Sequence, residues 1–502
     1  VNAAGNDTLL IAGTDIIKES NKTIKLGNGY AKYDSSTKTL ELNNASIDCG
    51  SGSGITGDIS GSLTIKVTGT NTITSNYQSA LNAYGIFVNT PLLNIIGTDS
   101  KTSSLNFIKN GHTHQNYLFF YGITSTTDLN IENINLDFKF GGYLAEFEFE
   151  GIVSKGNKFN MNNSNLNFNY ADICILIDNS DTYFNNSRFT CDEVTWFIKP
   201  TNRSTSTLTL YECNVDAVNF IKRHGSNAGY LITPTGSGSG KLRFDLNIIK
   251  TKIKATDDTL FVGLLANKLN VKDSIIDIVS GIHAVAGYDF VINGSTMNVQ
   301  VKNDYAVSLT AYESLEIIDS NLTSIALSDK GQAISVAANP KDPNAINFKL
   351  DSNLAIKEDL KFVKDSTHFT LIPNSDNAFN GSNAAKKLTI YTKDADYSGV
   401  DAALNSIPKD LSIYTPASVK DLNDAKNAVV RSKKSTEQQT VDNYAKAINL
   451  AIKNLATLPS KVDGTKPNPP KTSTSTNSLA IISLVLVSGL GLIKVIKRKE
   501  VE

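Results

Sequence analysis

The sequence predicts a mainly β fold: a solenoid of short parallel strands, then a small three-helix module, a stalk and one apolar C-terminal segment. Three observations lead there. A strand–bend–strand unit recurs through the first two-thirds of the 502 residues. Its apolar residues alternate with period two, the signature of half-buried strands. The composition is rich in Asn, Ser, Thr, Ile and Leu and poor in Met and Trp, which favours strands and tight turns over helices.

The repeat is read most clearly from about residue 129 to 325. It runs LNIENINLDF from Leu129, FNMNNSNLNF from Phe159, FNNSRFTC from Phe184 and LTLYECNVDA from Leu208. It continues as LNVKDSIIDI from Leu269, FVINGSTMNV from Phe290 and LEIIDSNLTS from Leu315, with a weaker copy at Asp245. The small residue of the bend falls at Ile134, Ser164, Ser187, Cys213, Thr251, Ser274, Ser295 and Ser320. These steps of roughly 21 to 38 residues are solenoid spacing. A second element precedes many copies, as in YGIF at Tyr84, YGIT at Tyr121, EGIV at Glu150 and SGIH at Ser280. Each coil is therefore expected to carry three strands. Leu129 and Ile131 point inward and stack on equivalents about 4.8 Å above and below, while Asn130 and Glu132 point outward. The Asn and Ser of the bends are placed to form ladders between coils, and loops of variable length leave without disturbing the stack. An antiparallel β-sandwich is the alternative, but it has no need of one repeated unit.

These copies resemble the right-handed parallel β-helix of pectate-lyase-like and carbohydrate-binding surface proteins of anaerobic bacteria, here over residues 4–385. That fold carries lyases, hydrolases and adhesins alike, so it leaves function open.

The pattern changes at about residue 386. DADYSGVDAALNSI, YTPASVKDLNDAKNAVV and STEQQTVDNYAKAINLAIKNLATL read as three helices. Pro416 suits a first helical turn after Thr415, and Thr436 with Gln439 forms a capping-box pattern. Leu422, Ala425, Val429 and Val430 form one apolar stripe, and Val441, Tyr444, Ala445, Ile448, Ala451, Ile452 and Leu455 another. ADYSGVDAA, YTPASVKDL and TVDNYAKAINLAI together resemble the three-helix module called "Found In Various ARchitectures", here over 386–456. The resemblance implies a spacer or a weak binder of glycans or partners.

Residues 457–478 are a Pro-, Ser- and Thr-rich linker suited to a wall-spanning stalk. An apolar run from Leu479 to Ile496 has the length of a short membrane span. Lys497, Arg498 and Lys499 follow, which places residues 497–502 in the cytoplasm. Pro470-Lys471-Thr472-Ser473 precedes the run. The arrangement resembles the cell-wall sorting signal of Gram-positive bacteria, and implies cleavage after Thr472 by a sortase and transfer to peptidoglycan. Ser473 stands where that signal usually has Gly, and an uncut single-pass anchor is the alternative. Val1-Asn2-Ala3-Ala4 fits what a signal peptidase leaves, so residues 1–3 are expected to be a leader remnant.

Net charge is −1 and the ectodomain has no long basic run, which excludes nucleic acid as an expected partner. Cys49, Cys174, Cys191 and Cys213 show neither metal-ligand spacing nor the density of a disulfide framework, and are read as buried small residues. No nucleophile motif or phosphate loop is present. Neither a catalytic residue, a metal nor a cofactor is assigned.

Glycoside hydrolysis needs two carboxylates facing one sugar bond. The outward column of the strand after the bend reads Asp137, Asn167, Thr190, Asp216, Lys254, Asp277, Asn298 and Thr323. That of the strand before it reads Glu132, Asn162, Asn185, Tyr211, Asn247, Lys272, Asn293 and Ile318. Neither holds two adjacent acids. Asp192 and Glu193 lie beside Trp196, the single tryptophan. With Tyr211 they are the candidate glycan contacts, the indole as a stacking platform and the acids as acceptors of hydroxyl protons. Asp257-Asp258 reads as a turn and His283 as outward-facing. His112 and His114 share one side of a strand and lack a third ligand. The expectation is a secreted, wall-anchored protein that binds polysaccharide or host glycan. A polysaccharide-acting enzyme and a purely structural surface protein are the other readings.

Overall fold

The computed structural model describes residues 7–50, 52–76, 82–110, 118–141, 147–201, 205–221, 229–234, 241–257 and 259–459. The sorting motif, the apolar run, the basic tail, residues 1–3 and His112 and His114 lie outside the described residues.

The strands form three parallel stacks, as the repeat requires and as a sandwich does not. One coil contributes Phe147–Ser154 to a first stack, Lys158–Asn162 to a second and Asn165–Asn169 to a third. The next coil repeats this with Ile173–Ile177, Asp181–Asn185 and Arg188–Asp192, each paired in parallel with its predecessor. Trp196–Pro200, Ser206–Tyr211 and Asn214–Val218 follow in register. Further on, the first and second strands of a coil fuse: Leu260–Lys272 pairs through one half with Gly229–Ile232 and through the other with Phe244–Ile249.

The bend between the second and third strands sets the register. Its first residue is left-handed at Asn133, Asn163, Asn186, Glu212, Lys250, Asp273, Gly294 and Asp319, with φ between 42 and 58°. Asn, Asp and Gly reach that region at least cost. The small residue follows and turns inward. Ser164 Oγ accepts the Ile134 N–H (3.4 Å) and donates to the Asn162 carbonyl (2.8 Å). Ser187, Thr251, Ser274, Ser295 and Ser320 each make the same pair of bonds, accepting the N–H of the preceding coil's bend residue and donating to the carbonyl of residue i−2. Cys213 replaces the hydroxyl once: its thiol donates to the Tyr211 carbonyl at 3.4 Å and accepts from the Ser187 amide. Burial pushes that thiol up to about 11.

Inside, side-chain size is matched across the core. Phe107, Phe138 and Phe168 on the third stack lie with centroids 4.8 Å apart and planes within 8°, the strand spacing itself. Opposite them the first stack has Gly85, Gly122 and Gly151. A Cβ on Gly122 would stand 2.4 Å from the Phe138 ring, and one on Gly151 2.3 Å from that of Phe168. Four coils on, Gly263 faces Ile278. Between these the columns trade size: Phe197 enters the glycine column and Ala217 the phenylalanine column.

Both ends of the stack are closed by antiparallel strands. Thr8–Ile11 pairs with Ile55–Asp58 and Gly29–Asp34 with Thr39–Asn43. His368–Pro373 covers Gln332–Asn339, and Lys387–Thr392 covers Asn321–Ala326. Such lids block the end-to-end pairing that an open parallel stack invites. The last of these strands carries the β part past the change expected at residue 386.

Three helices follow: α1 (Ser398–Asn405), α2 (Pro416–Asn427) and α3 (Gln438–Lys453). Val400, Ala403, Leu422, Val441 and Ile448 are the buried centre of their own small core. Pro416 opens α2, and the Thr415 hydroxyl accepts the Ser418 N–H. The capping box expected at Thr436 and Gln439 is not formed. A 3-10 turn, Ser435–Glu437, precedes α3 instead, and Glu437 reaches back to the Lys434 N–H at 3.3 Å. Val430 leaves the predicted stripe and is exposed. Among the described residues no helix is long and apolar enough to cross a membrane.

The bend chemistry gives a paired test. Ser274→Ala strands the Thr251 N–H and should cost about 1–3 kcal/mol in urea unfolding. Cys213→Ser restores a hydroxyl to the ladder and should change stability by less than about 1 kcal/mol. A larger loss in the serine variant than in the alanine variant would remove the ladder from the account of register.

Candidate functional site

The outer face of the third stack carries a groove of about 320 Å³ across four coils. Its first row is Asp137, Asn167, Thr190 and Asp216, directly above one another. That order is the one the repeat predicts, and it continues correctly through Lys254, Asp277, Asn298 and Thr323. The row is wired along the solenoid. Asn167 Nδ2 donates to Asp137 Oδ1 at 2.7 Å, and the Thr190 hydroxyl donates to Asn167 Oδ1. Asp216 Oδ1 is buried and accepts no hydrogen bond among the described residues.

A second outward row runs beside it: Lys139, Asn169, Asp192 and Val218. Asp192 thus belongs to the groove, where its Oδ1 accepts from Asn219 Nδ2 at 2.8 Å. It sits one coil and two residues from Asp216 on the same face, a Cα separation of about 8 Å from strand spacing and rise. This diagonal pair of carboxylates is invisible to a search confined to single columns. Asp137 lies three strands from Asp216, about 14 Å away, and is too distant to pair with it.

The other candidates are dispersed. Glu193 is an exposed corner residue with φ 55°. Trp196 opens the next first-stack strand and lies against Tyr230, with ring centroids 4.5 Å apart and planes 8° apart. Lys199 Nζ lies 4.5 Å from the indole centroid. The indole therefore already has a ring and an ammonium packed against it. Tyr211 ends a second-stack strand at a different corner, under Lys250, whose Nζ lies 3.1 Å from its hydroxyl and 3.3 Å from Glu212 Oε1. These hydrogen bonds hold the Lys250 ammonium above its usual range. Tyr211 therefore does not join Asp192. In its own row the residue over Tyr211 is Ile249, and Asn247 pairs with Thr209, two residues from the place expected for it.

Along the second stack an amide ladder joins Asn94, Asn130 and Asn160, at 3.0 and 3.1 Å. Beside it, Asn160, Tyr183 and Thr209 help line a shallower depression of about 430 Å³. Asp257 makes the expected turn, accepting from the Thr259 N–H at 2.8 Å and the Phe220 N–H at 3.1 Å. Among the described residues no three His, Cys, Asp or Glu side chains come together as a metal site.

A solenoid with a groove on one outer face defines a class of architecture, and nothing narrower follows by likeness. Comparison with protein-family models, curated proteins and solved structures finds no match.

His283 stands in the outward row of the first stack, between Val262 and Val307, half-buried. Its Nδ1 lies 3.3 Å from the Val307 carbonyl. Burial lowers its pKa below the ordinary 6.5. The neutral ring is thus favoured in the folded state, so the stabilisation is complete above pH 6.5 and is lost as pH falls from there through the folded value. His283→Asn should flatten the stability profile across that window in urea titrations. An unchanged slope would show that other groups carry it.

Proposed function

We propose that the chain is a wall-anchored surface protein of a Gram-positive bacterium whose solenoid binds an extended, hydroxyl-rich polysaccharide. The observation that carries this reading is the third-stack groove, in which carboxylate, amide and hydroxyl groups repeat at one strand spacing. Sugar hydroxyls donate to carboxylates and accept from amides, and a polymer meets successive coils with successive residues. The internal ladder uses one donor and one acceptor of Asn167 and leaves its remaining capacity facing outward. It also fixes the side chains before a ligand arrives, which lowers the ordering cost of binding. Asp192 acts in this groove beside Asp216; Glu193, Trp196 and Tyr211 frame other parts of the surface.

The handedness we assign is right-handed, following the strong rule for crossovers between parallel strands. The helical module serves as a spacer between the solenoid and the stalk, in keeping with its resemblance to the wall-protein module. Pro470, Lys471, Thr472 and Ser473 are the sorting signal. The apolar run holds the chain in the membrane until a sortase transfers Thr472 to peptidoglycan.

A second reading rests on the diagonal pair. Glycoside hydrolysis needs two carboxyl groups facing one sugar bond, and Asp192 and Asp216, neighbours on one outward face, would act as acid and base.

Affinity electrophoresis against plant, mucin and microbial polysaccharides separates these readings when released sugar is assayed in the same samples. Thr190→Trp fills the groove and should weaken binding at least about tenfold, equivalent to about 1.4 kcal/mol, with no sugar released by either form. New reducing ends from the parent chain, abolished in both Asp192→Asn and Asp216→Asn, would establish the hydrolase instead. Retardation that Thr190→Trp leaves intact would move the binding surface off this face.

The anchoring proposal has its own check. Thr472→Ala should leave the chain in the membrane fraction and remove it from muramidase-released wall material. Equal wall recovery of both forms would exclude Thr472 as the acceptor of the sortase.

A further inference from the structure

Where the facing columns trade size, two cysteines meet. Cys174 occupies the first-stack column between Gly151 and Phe197, and Cys191 the third-stack column between Phe168 and Ala217. The neighbouring coil shows how closely these columns approach, since a Cβ on Gly151 would stand 2.3 Å from the Phe168 ring. Cys174 and Cys191 are 0% and 1% exposed, and they lie in the same layer of the two facing columns. Volume alone does not call for two sulfurs, because Ala284 and Val299 fill the same layer farther along. The other two cysteines lie apart: Cys49 follows the first third-stack strand, and Cys213 is committed to the bend ladder.

We propose that Cys174 and Cys191 are an oxidisable pair that closes into an internal disulfide as the chain folds, joining the first and third stacks across the central coil. To bond, the sulfurs must approach to about 2.05 Å, a movement shared between two strands. The oxidant is a small disulfide such as oxidised glutathione. One thiolate attacks it and expels a glutathione thiolate. The second cysteine then displaces the other glutathione, so two thiols are oxidised and one disulfide is reduced to two thiols. Burial raises the Cys174 thiol well above its usual range and removes it from solvent. The reaction therefore belongs to the folding chain, and the closed bond resists reductant in the native state.

The test is to refold the full chain with and without oxidised glutathione, alkylate it in denaturant and map the peptides by mass. The expected product has the peptides of Cys174 and Cys191 joined, two hydrogen masses lost, and Cys49 and Cys213 alkylated. Its urea midpoint should exceed that of the reduced chain, and oxidation should not move the midpoint of Cys191→Ala. That variant keeps a small apolar residue in a column that already holds Ala217, so it should fold. Full alkylation of all four cysteines after oxidative refolding, or a link through Cys49 or Cys213, would overturn the proposal.

Discussion

From the coil of Leu129 to that of Leu315 the solenoid depends on turning from second to third strand within two residues, the same way each time. A left-handed residue makes the turn and a small inward residue fills the space it leaves. The inward hydroxyl accepts an N–H from an adjacent coil's bend and returns its own proton to a carbonyl two residues back. A buried amide without that partner would cost about 1–3 kcal/mol, so each coil is held in register by its neighbour. With the bend fixed, the inward residues of successive third strands fall over one another, and Phe107, Phe138 and Phe168 can stack at strand spacing.

The same register builds the outer surface. Outward side chains inherit the vertical alignment, so Asp137, Asn167, Thr190 and Asp216 become a row without any element evolved for that purpose. The variable connections leave mainly between the third strand of one coil and the first strand of the next, as at Val218 to Gly229. A rigid row beside variable loops is an effective arrangement for recognising a repeating polymer, because spacing comes from the scaffold and selectivity from its borders.

The third-strand row was legible residue by residue, because each strand follows its bend at fixed distance and most of the bends are marked by Ser after Asn, Asp or Gly. The strand before the bend was less so. Ile249 is apolar yet faces outward, so the eye seeking a polar residue settles on Asn247. The diagonal of Asp192 and Asp216 was not legible, since it depends on two rows lying side by side. Nor was the covering of Trp196, whose stacking partner Tyr230 is far away in sequence. The size exchange between Gly151 with Phe168 and Phe197 with Ala217 required the facing columns to be paired. In α3 the local pattern suggested one cap, while the chain entering from Lys434 to Glu437 formed another.

The hydrogen bonds between coils run along the long axis of the stack, roughly perpendicular to its strands. Tension applied between the two ends is therefore borne by bonds that open in sequence, one coil at a time, and not by many sheared together. Such a column yields in small steps, each releasing a coil's length of chain while the remaining coils stay folded. Closing Cys174 to Cys191 would shorten the length released by the coil that carries it, placing a stop near the middle of the extension.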